Sequence, residues 1–472
     1  MAQLGQSTVH DWEALQGSIA GEVILPSSPD YESARKPAIA RFHDMKPLAV
    51  VACETPEDVS ETISFARRSG LGATTRSGGH CFSGRSSTGG IVIDVSPMRS
   101  VSVSGGVATV GAGASLGEVY DALDRHGLMI PAGCGPSVGI SGLTLGGGMG
   151  ILGRKHGLTS DSLLGAQVVL ADGSIVECDG HNEPDLFWAL RGAGGCNFGV
   201  VTSLEFAPIN APAATAFHLT WSPADAASIL AVWQTWAPDA PDELAASLLI
   251  TAPSDDDRPP TVNVFGAMLG TESDVEGQLG ELVARAGVDP KSTFYKNASY
   301  REIKHHLAEH GLGDHRPDGH QFSKSGFFRR PLPQGAVAAL VENLSEKRIP
   351  GESRELDFTP WAGAYNRVPV GATAFAHREE RFLLLQVAVV EPDASAAESE
   401  AAQDWLRLSW AAVHPWGSGG VYPNFPDPDL ENWARAYHGT NLERLAHLKR
   451  RYDPDGFFRF HQSIPDRLSD KA

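Results

Sequence analysis

The chain predicts an α+β fold divided between two domains, and three features carry that prediction. Short β-branched runs alternate with helical patterns through the first part of the chain, punctuated by glycine turns. A proline- and alanine-rich join, Phe206-Ala207-Pro208-Ile209-Asn210-Ala211-Pro212, then changes the composition. A length of 472 residues exceeds what one hydrophobic core usually holds.

Residues 47–53, Pro-Leu-Ala-Val-Val-Ala-Cys, read as a buried strand. A helix is expected over 55–69, with Thr55 as N-cap, Pro56 in the first turn, Glu57 and Asp58 where the dipole favours acid, and Gly70 as the stop. Residues 90–94 form a second strand, and 101–110 alternate as a hairpin around Gly105-Gly106. A helix over 115–126 ends at Gly127, and 167–170 pairs with 174–178 across Ala171-Asp172-Gly173. Beyond the join, strands are expected at 216–221 and 261–265, with helices at 223–236, 274–285 and 405–413. The tail from Tyr422 differs again in character, and no repeat of 20 to 50 residues recurs, which argues against a solenoid or propeller.

Bulk chemistry narrows the class. Hydrophobic content of 42% with 20% charged residues is that of a globular enzyme, and no run of about eighteen apolar residues offers a membrane span. A formal charge of −19 repels nucleic acid and anionic membrane. Residues 1–6 lack a basic flank and an apolar stretch, so no secretory signal is expected; five cysteines without CxxC suit a reducing cytoplasm. His305, His306, His310, His315 and His320 lie in a polar stretch whose spacing fits no zinc site, so no metal is expected.

Chemistry concentrates in Arg76-Ser77-Gly78-Gly79-His80, after a strand-like run and ahead of Gly146-Gly147-Gly148-Met149-Gly150. Paired glycines let the backbone approach a bulky anion, Arg76 can fork onto phosphate oxygens, and the His80 ring nitrogen can bond an electrophilic cofactor carbon. These residue types suit a flavin. Gly148-Met149-Gly150-Ile151-Leu152-Gly153 matches the nicotinamide-type GxGxxG, but Arg154-Lys155-His156-Gly157 breaks the long helix such a turn must open.

Nearly end to end, the chain resembles the berberine-bridge-enzyme-like oxidases, within the vanillyl-alcohol oxidase and para-cresol methylhydroxylase fold superfamily. The resemblance rests on the Arg76–His80 motif, residues 135–148 (GPSVGISGLTLGGG), residues 184–192 (PDLFWALRG), Asn197-Phe198-Gly199-Val200-Val201-Thr202, Tyr452-Asp453-Pro454 and Gln462-Ser463-Ile464. It implies FAD held by a domain built from 1–207 and 416–472, with 208–415 forming a substrate-binding domain whose antiparallel sheet, covered by helices, roofs the ring. By the same resemblance His80 bonds the flavin 8α-methyl carbon. The loop Arg76, Ser77, Gly78, Gly79, Cys81 and Gly84, and the segment Pro136, Ser137, Val138, Gly139, Gly142, Leu143, Gly146 and Gly147, wrap the diphosphate, with Gly150 in the run that follows. Gly199, Val200 and Val201 pack by the adenine, and Tyr422 and Asn424 touch the ring.

Three departures from the family pattern shape the functional expectation. Where many relatives place a second flavin-bonding cysteine stands Gly135; Cys134 is one residue early, so a single link through His80 is expected. The Tyr-x-Asn-Tyr pattern that supplies a base reads Tyr422-Pro423-Asn424-Phe425, and the strand with a catalytic glutamate in plant relatives offers only Gln386. The base candidates are therefore Tyr365, Gln386, Tyr422, Glu355, Asp357 and His377, the last read chiefly as a fold marker. Met149 and His438 replace customary tyrosines, which points away from carbohydrate and toward an aromatic, phenolic or polyketide-like substrate, with Trp361, Phe375 and Phe425 as candidate wall or core residues. The expected activity is hydride abstraction from a small organic molecule with reduction of O2 to H2O2, with oxidative cyclisation or further oxidation as a sequel. An oligosaccharide or alcohol oxidase, a flavin-dependent oxygenase and a non-catalytic flavin-binding protein are the alternatives.

Overall fold

A computed structural model describes residues 10–255, 257–310 and 318–468. Among the described residues ten strands lead up to the join and an eleventh lies within it: β1 Glu22–Ile24, β2 Ala49–Ala52, β3 Ala73–Arg76, β4 Ile91–Asp94, β5 Val101–Ser104, β6 Val107–Gly111, β7 Leu128–Met129, β8 Leu163–Leu170, β9 Ile175–Asp179, β10 Gly199–Phe206 and β11 Ile209–Asn210. Seven follow: β12 Ala213–Trp221, β13 Leu244–Ala252, β14 Thr261–Met268, β15 Ser292–Ser299, β16 His320–Phe328, β17 Ser353–Pro360 and β18 Phe382–Val390.

The early strands form a four-stranded sheet, order β1-β2-β4-β3, and a five-stranded sheet, order β5-β6-β10-β8-β9. Ile91, Val92 and Ile93 are buried without interruption because β4 pairs in parallel with β2 and β3, leaving no wet face. The helix Pro56–Arg68 starts where a capping box predicts: Thr55 Oγ1 accepts from the Asp58 amide while the Asp58 carboxylate accepts from the Thr55 amide. That carboxylate also accepts the amides of Ala20 and Gly21, so one acid fastens the start of the helix to the entry of β1. Leu445, Leu448, Tyr452, Phe458 and Ile464 of the tail enter the same core as these sheets.

Strands β12 to β18 form one antiparallel seven-stranded sheet, order β15-β12-β14-β13-β17-β18-β16. Its alternation decides what lies where. Phe217, Leu248, Val264, Leu356, Phe358 and Leu384 point into a core with the helices Ala226–Trp236, Glu272–Ala286, Gln334–Ser345 and Ala396–Val413. Ala245, Ser247, Phe265, Asp357, Thr359 and Leu385, in the opposite phase, line a cavity. The helix expected over 405–413 is the second half of Ala396–Val413, whose start is a capping box of Ser395 and Glu398.

Candidate functional site

A cavity of about 520 Å³ lies between the glycine loops of the early sheets and the open face of the seven-stranded sheet. Its floor begins where β3 runs into the Arg76–His80 turn. Gly79 holds a left-handed φ of 72°, and a Cβ on Gly78 would collide with the amide of Gly139, so glycine lets the turn back directly onto the loop 135–139. Ser77 and Ser141 both donate to the carbonyl of Ala112 at 2.8 Å and fix the two loops to one point. His80 Nε2 lies 3.1 Å from Ser137 Oγ, and His80 lines the cavity.

Of the residues expected to hold a cofactor, Ser77, Gly78, Gly79 and Cys81 line this cavity with His80. Val138, Gly139, Gly142, Leu143 and Gly150 do so from the second loop, Gly199, Val200 and Val201 from β10, and Tyr422 and Asn424 from the return segment. Five expected residues do not line it. Gly84 packs against the Phe42 ring, and a Cβ at Gly146 or Gly147 would strike Asn424 or Phe375, so these glycines serve close packing of protein on protein. Pro136 and Ser137 are exposed, and Ser137 meets the site only through its hydroxyl beside His80. Arg76 needs the clearest correction: its guanidinium donates to the carbonyls of Ser86, Ala34 and Arg35. It ties the loop after β3 to residues 34 and 35, and each of its three nitrogens is engaged by a backbone carbonyl. The GxGxxG at 148–153 opens only the four-residue helix Gly153–His156 and carries no long dinucleotide helix.

The candidate bases separate by where their polar atoms go. The Tyr422 hydroxyl accepts the amides of Gly148 and Met149 at 3.0 Å each and the Asn424 side-chain amide at 3.2 Å; burial raises its phenol. Tyr365 donates to the Gly150 carbonyl at 3.0 Å and accepts the Gly150 amide at 3.2 Å, and burial raises its phenol beyond proton-accepting use. Both tyrosines fasten the glycine run. Gln386 is corrected by strand alternation: Leu385 faces the cavity, so Gln386 points to the other face, toward a small void lined with Ser325 and Trp410. Glu355 does not line the cavity either. His377 is buried against Phe327 with Nε2 3.1 Å from the Tyr437 carbonyl, and burial lowers it to about 4.

Asp357 remains. It lines the cavity from β17, its Oδ1 is shielded from solvent without a hydrogen-bond partner, and burial together with nearby Glu355 raises its carboxyl to about 7. Around it the roof is chiefly apolar: Ala245, Phe265, Leu307 and Leu385, with Phe425 stacked on Phe82 at 5.5 Å. Trp361 and Phe375 are core, packed with Leu158, Phe327 and Leu383. Sequence reading missed Ala245, Ser247, Phe265, Thr359 and Leu385, although period-two alternation against the buried positions of the same strands would have found them.

Cys134 also lines the cavity, its Sγ 3.9 Å from Nζ of buried Lys304, which donates to the carbonyls of Ala132 and Gly133. Among the described residues no group of His, Cys, Asp or Glu is arranged to hold a metal ion. His315 and the side chain of His310 lie outside the described residues, while His306 stacks on Phe294. No helix among the described residues is long and apolar enough to cross a membrane.

The chain is similar to known flavoproteins. A family model described as an FAD binding domain matches residues 47–179, and one described as berberine and berberine like matches 421–465. The chain is 32% identical to the FAD-linked oxidoreductase YgaK of Bacillus subtilis, covering 95% of this chain and 97% of that one. It is 30% identical to (R)-6-hydroxynicotine oxidase of Paenarthrobacter nicotinovorans, over 95% and 97% of the two chains. A solved glucooligosaccharide oxidase of Acremonium strictum, whose FAD is 6-S-cysteinyl and 8α-N1-histidyl linked, superposes with a TM-score of 0.86 at 25% identity, covering 97% of this chain and 99% of that one.

Proposed function

Because the chain belongs to the berberine-bridge-enzyme-like FAD-linked oxidoreductases, we propose that it oxidises a small, largely apolar organic molecule over an FAD ring, with Asp357 as the proton acceptor. The residues fit the cofactor: two glycine-rich loops present backbone to one side of a cavity large enough for a bulky ligand, and His80 stands at its wall. In this reading His80 carries the covalent link, the amides of 77–81 and 138–142 face the diphosphate, and the ring lies beneath the roof of β13, β14, β17 and β18. FAD, when bound, supplies the hydride acceptor. The rest falls to the protein.

Phe265, Leu307, Leu385 and Phe425 lay the substrate flat and exclude water. Asp357 accepts the proton of a substrate hydroxyl or amine while the adjacent C–H bond gives up its hydride. A carboxyl raised to about 7 is matched to that task, since it is half ionised near neutrality and still basic enough to hold a proton. O2 is the proposed final acceptor and hydrogen peroxide the product of its reduction. The apolar roof disfavours a carbohydrate, whose hydroxyls would be left unpaired there.

One observation carries the proposal: a shielded carboxylate oxygen without a partner, in a wall whose other side chains are apolar save Ser247 and Thr359. Asp357→Asn is expected to slow anaerobic flavin reduction by about 10²-fold or more and to remove the acid limb of its pH profile, with the flavin spectrum unchanged. Reduction within about 3-fold of wild type would refute the assignment of the base.

A further inference from the structure

Three arginines line the cofactor cavity among the described residues, and two are spent. Arg76 donates to three carbonyls, and so does Arg154, whose guanidinium closes on Ala237, Pro238 and Ala240. Arg85 differs. Among the described residues its guanidinium makes one hydrogen bond, from Nη2 to Gln462 Oε1 at 2.7 Å, and sits 4.7 Å over the Phe460 ring; its Nε, like that of Arg154, is shielded without a partner, but no backbone carbonyl engages its Nη1 or Nη2.

Position and charge say what that arginine meets. Ser86, the next residue, donates to the carbonyl of Gly79 at 3.4 Å, which sets Arg85 beside the glycine turn whose backbone faces the cavity. FAD brings two phosphate charges into a protein of formal charge −19, and burying an anion without a counter-charge is costly. We infer that Arg85 supplies the counter-charge to the cofactor's diphosphate and, through Gln462 and Phe460, couples cofactor loading to docking of the C-terminal segment. A guanidinium held on one side by the tail is oriented on the other before the cofactor arrives, so less side-chain freedom is lost on binding.

The test uses His80→Ala protein, freed of flavin, titrated with FAD and with riboflavin, which lacks the phosphates. Adding Arg85→Gln is expected to weaken FAD by about 10-fold or more, the usual scale for a charge-assisted hydrogen bond, and riboflavin by less than about 2-fold. Arg85→Lys, which keeps the charge, is expected to recover most of the loss. FAD should protect the amides of residues 457–464 from hydrogen exchange, and Arg85→Gln should abolish that protection. Parallel weakening of both ligands, no weakening of either, or a lysine variant no better than glutamine would assign Arg85 to packing and overturn the inference. If His80→Ala yields no folded protein, flavin incorporated per chain at limiting FAD is compared in the His80 enzyme, where equal incorporation by wild type and Arg85→Gln would overturn it as well.

Discussion

Tyr422→Phe isolates how the glycine run is held. The substitution deletes one oxygen and leaves the ring in place, so packing against Phe327, Trp361 and Phe375 is kept. That oxygen accepts the amides of Gly148 and Met149, at 3.0 Å each, and the Asn424 side-chain amide, which retains the Leu143 carbonyl at 2.8 Å. Two backbone donors therefore lose their acceptor. At ~1–3 kcal/mol for each donor left unsatisfied, the local cost is about 4 kcal/mol. At about 1.4 kcal/mol per decade, that cost speeds native-state exchange at residues 146–152 by about 10³-fold. Hydrogen exchange read by mass spectrometry measures it directly. An increase below about 10-fold would show that the hydroxyl is not what anchors the run. The acid limb of flavin reduction assigned to Asp357 should persist in Tyr422→Phe, which separates the tyrosine that holds the site from the carboxylate proposed to act in it.

Two other outcomes follow from the structure. Acid-precipitated wild type is expected to stay yellow and His80→Ala to release its flavin to the supernatant; a yellow pellet from His80→Ala would instead place a bond at Cys134. His377 and His438, buried and lowered to about 4 and about 3, take up protons in the unfolded chain near pH 6.5 but not in the folded one. Their share of stability is therefore complete above pH ~6.5 and lost as pH falls below it, about 2 kcal/mol for each by pH ~5. His438→Gln should show a flatter decline than wild type in urea unfolding between pH ~7 and pH ~5, and an identical slope would refute the burial argument.

Local signals in the sequence located most elements because they act within a few residues. Thr55 with Asp58 and Ser115 with Glu118 are capping boxes, and Gly105-Gly106 closes the hairpin of β5 and β6. What the sequence concealed depends on contacts far apart along the chain. Arg76 reads as a phosphate fork because nothing near it reveals that the carbonyls of Ala34 and Arg35 lie within reach. Gly146 and Gly147 read as cofactor glycines, yet their missing side chains make room for Asn424 and Phe375. Gln386 is a base candidate only through the family resemblance, which places a glutamate on that strand, and the phase of β18 against the core shows it facing away.

That phase also bears on where a base can stand. A residue of β17 or β18 reaches the cavity only if it alternates with Leu356, Phe358 and Leu384, which fill the core behind the sheet. Asp357 and Leu385 are Cα partners across β17 and β18, so the strand that offers a glutamine to the wrong face sets a leucine directly beside the carboxylate. An apolar neighbour strips water from the carboxyl and raises it, while Phe425, in place of a hydroxyl on the return segment, stacks on Phe82 and offers no competing acceptor. In the proposed reading, a return segment that offers no base and a roof that offers Asp357 are parts of one arrangement. Leu385→Asn tests it: rehydrating the carboxyl should move the acid limb of flavin reduction to lower pH than in wild type, where it is expected near pH ~7, and an unmoved limb would show that desolvation by this roof is not what tunes Asp357.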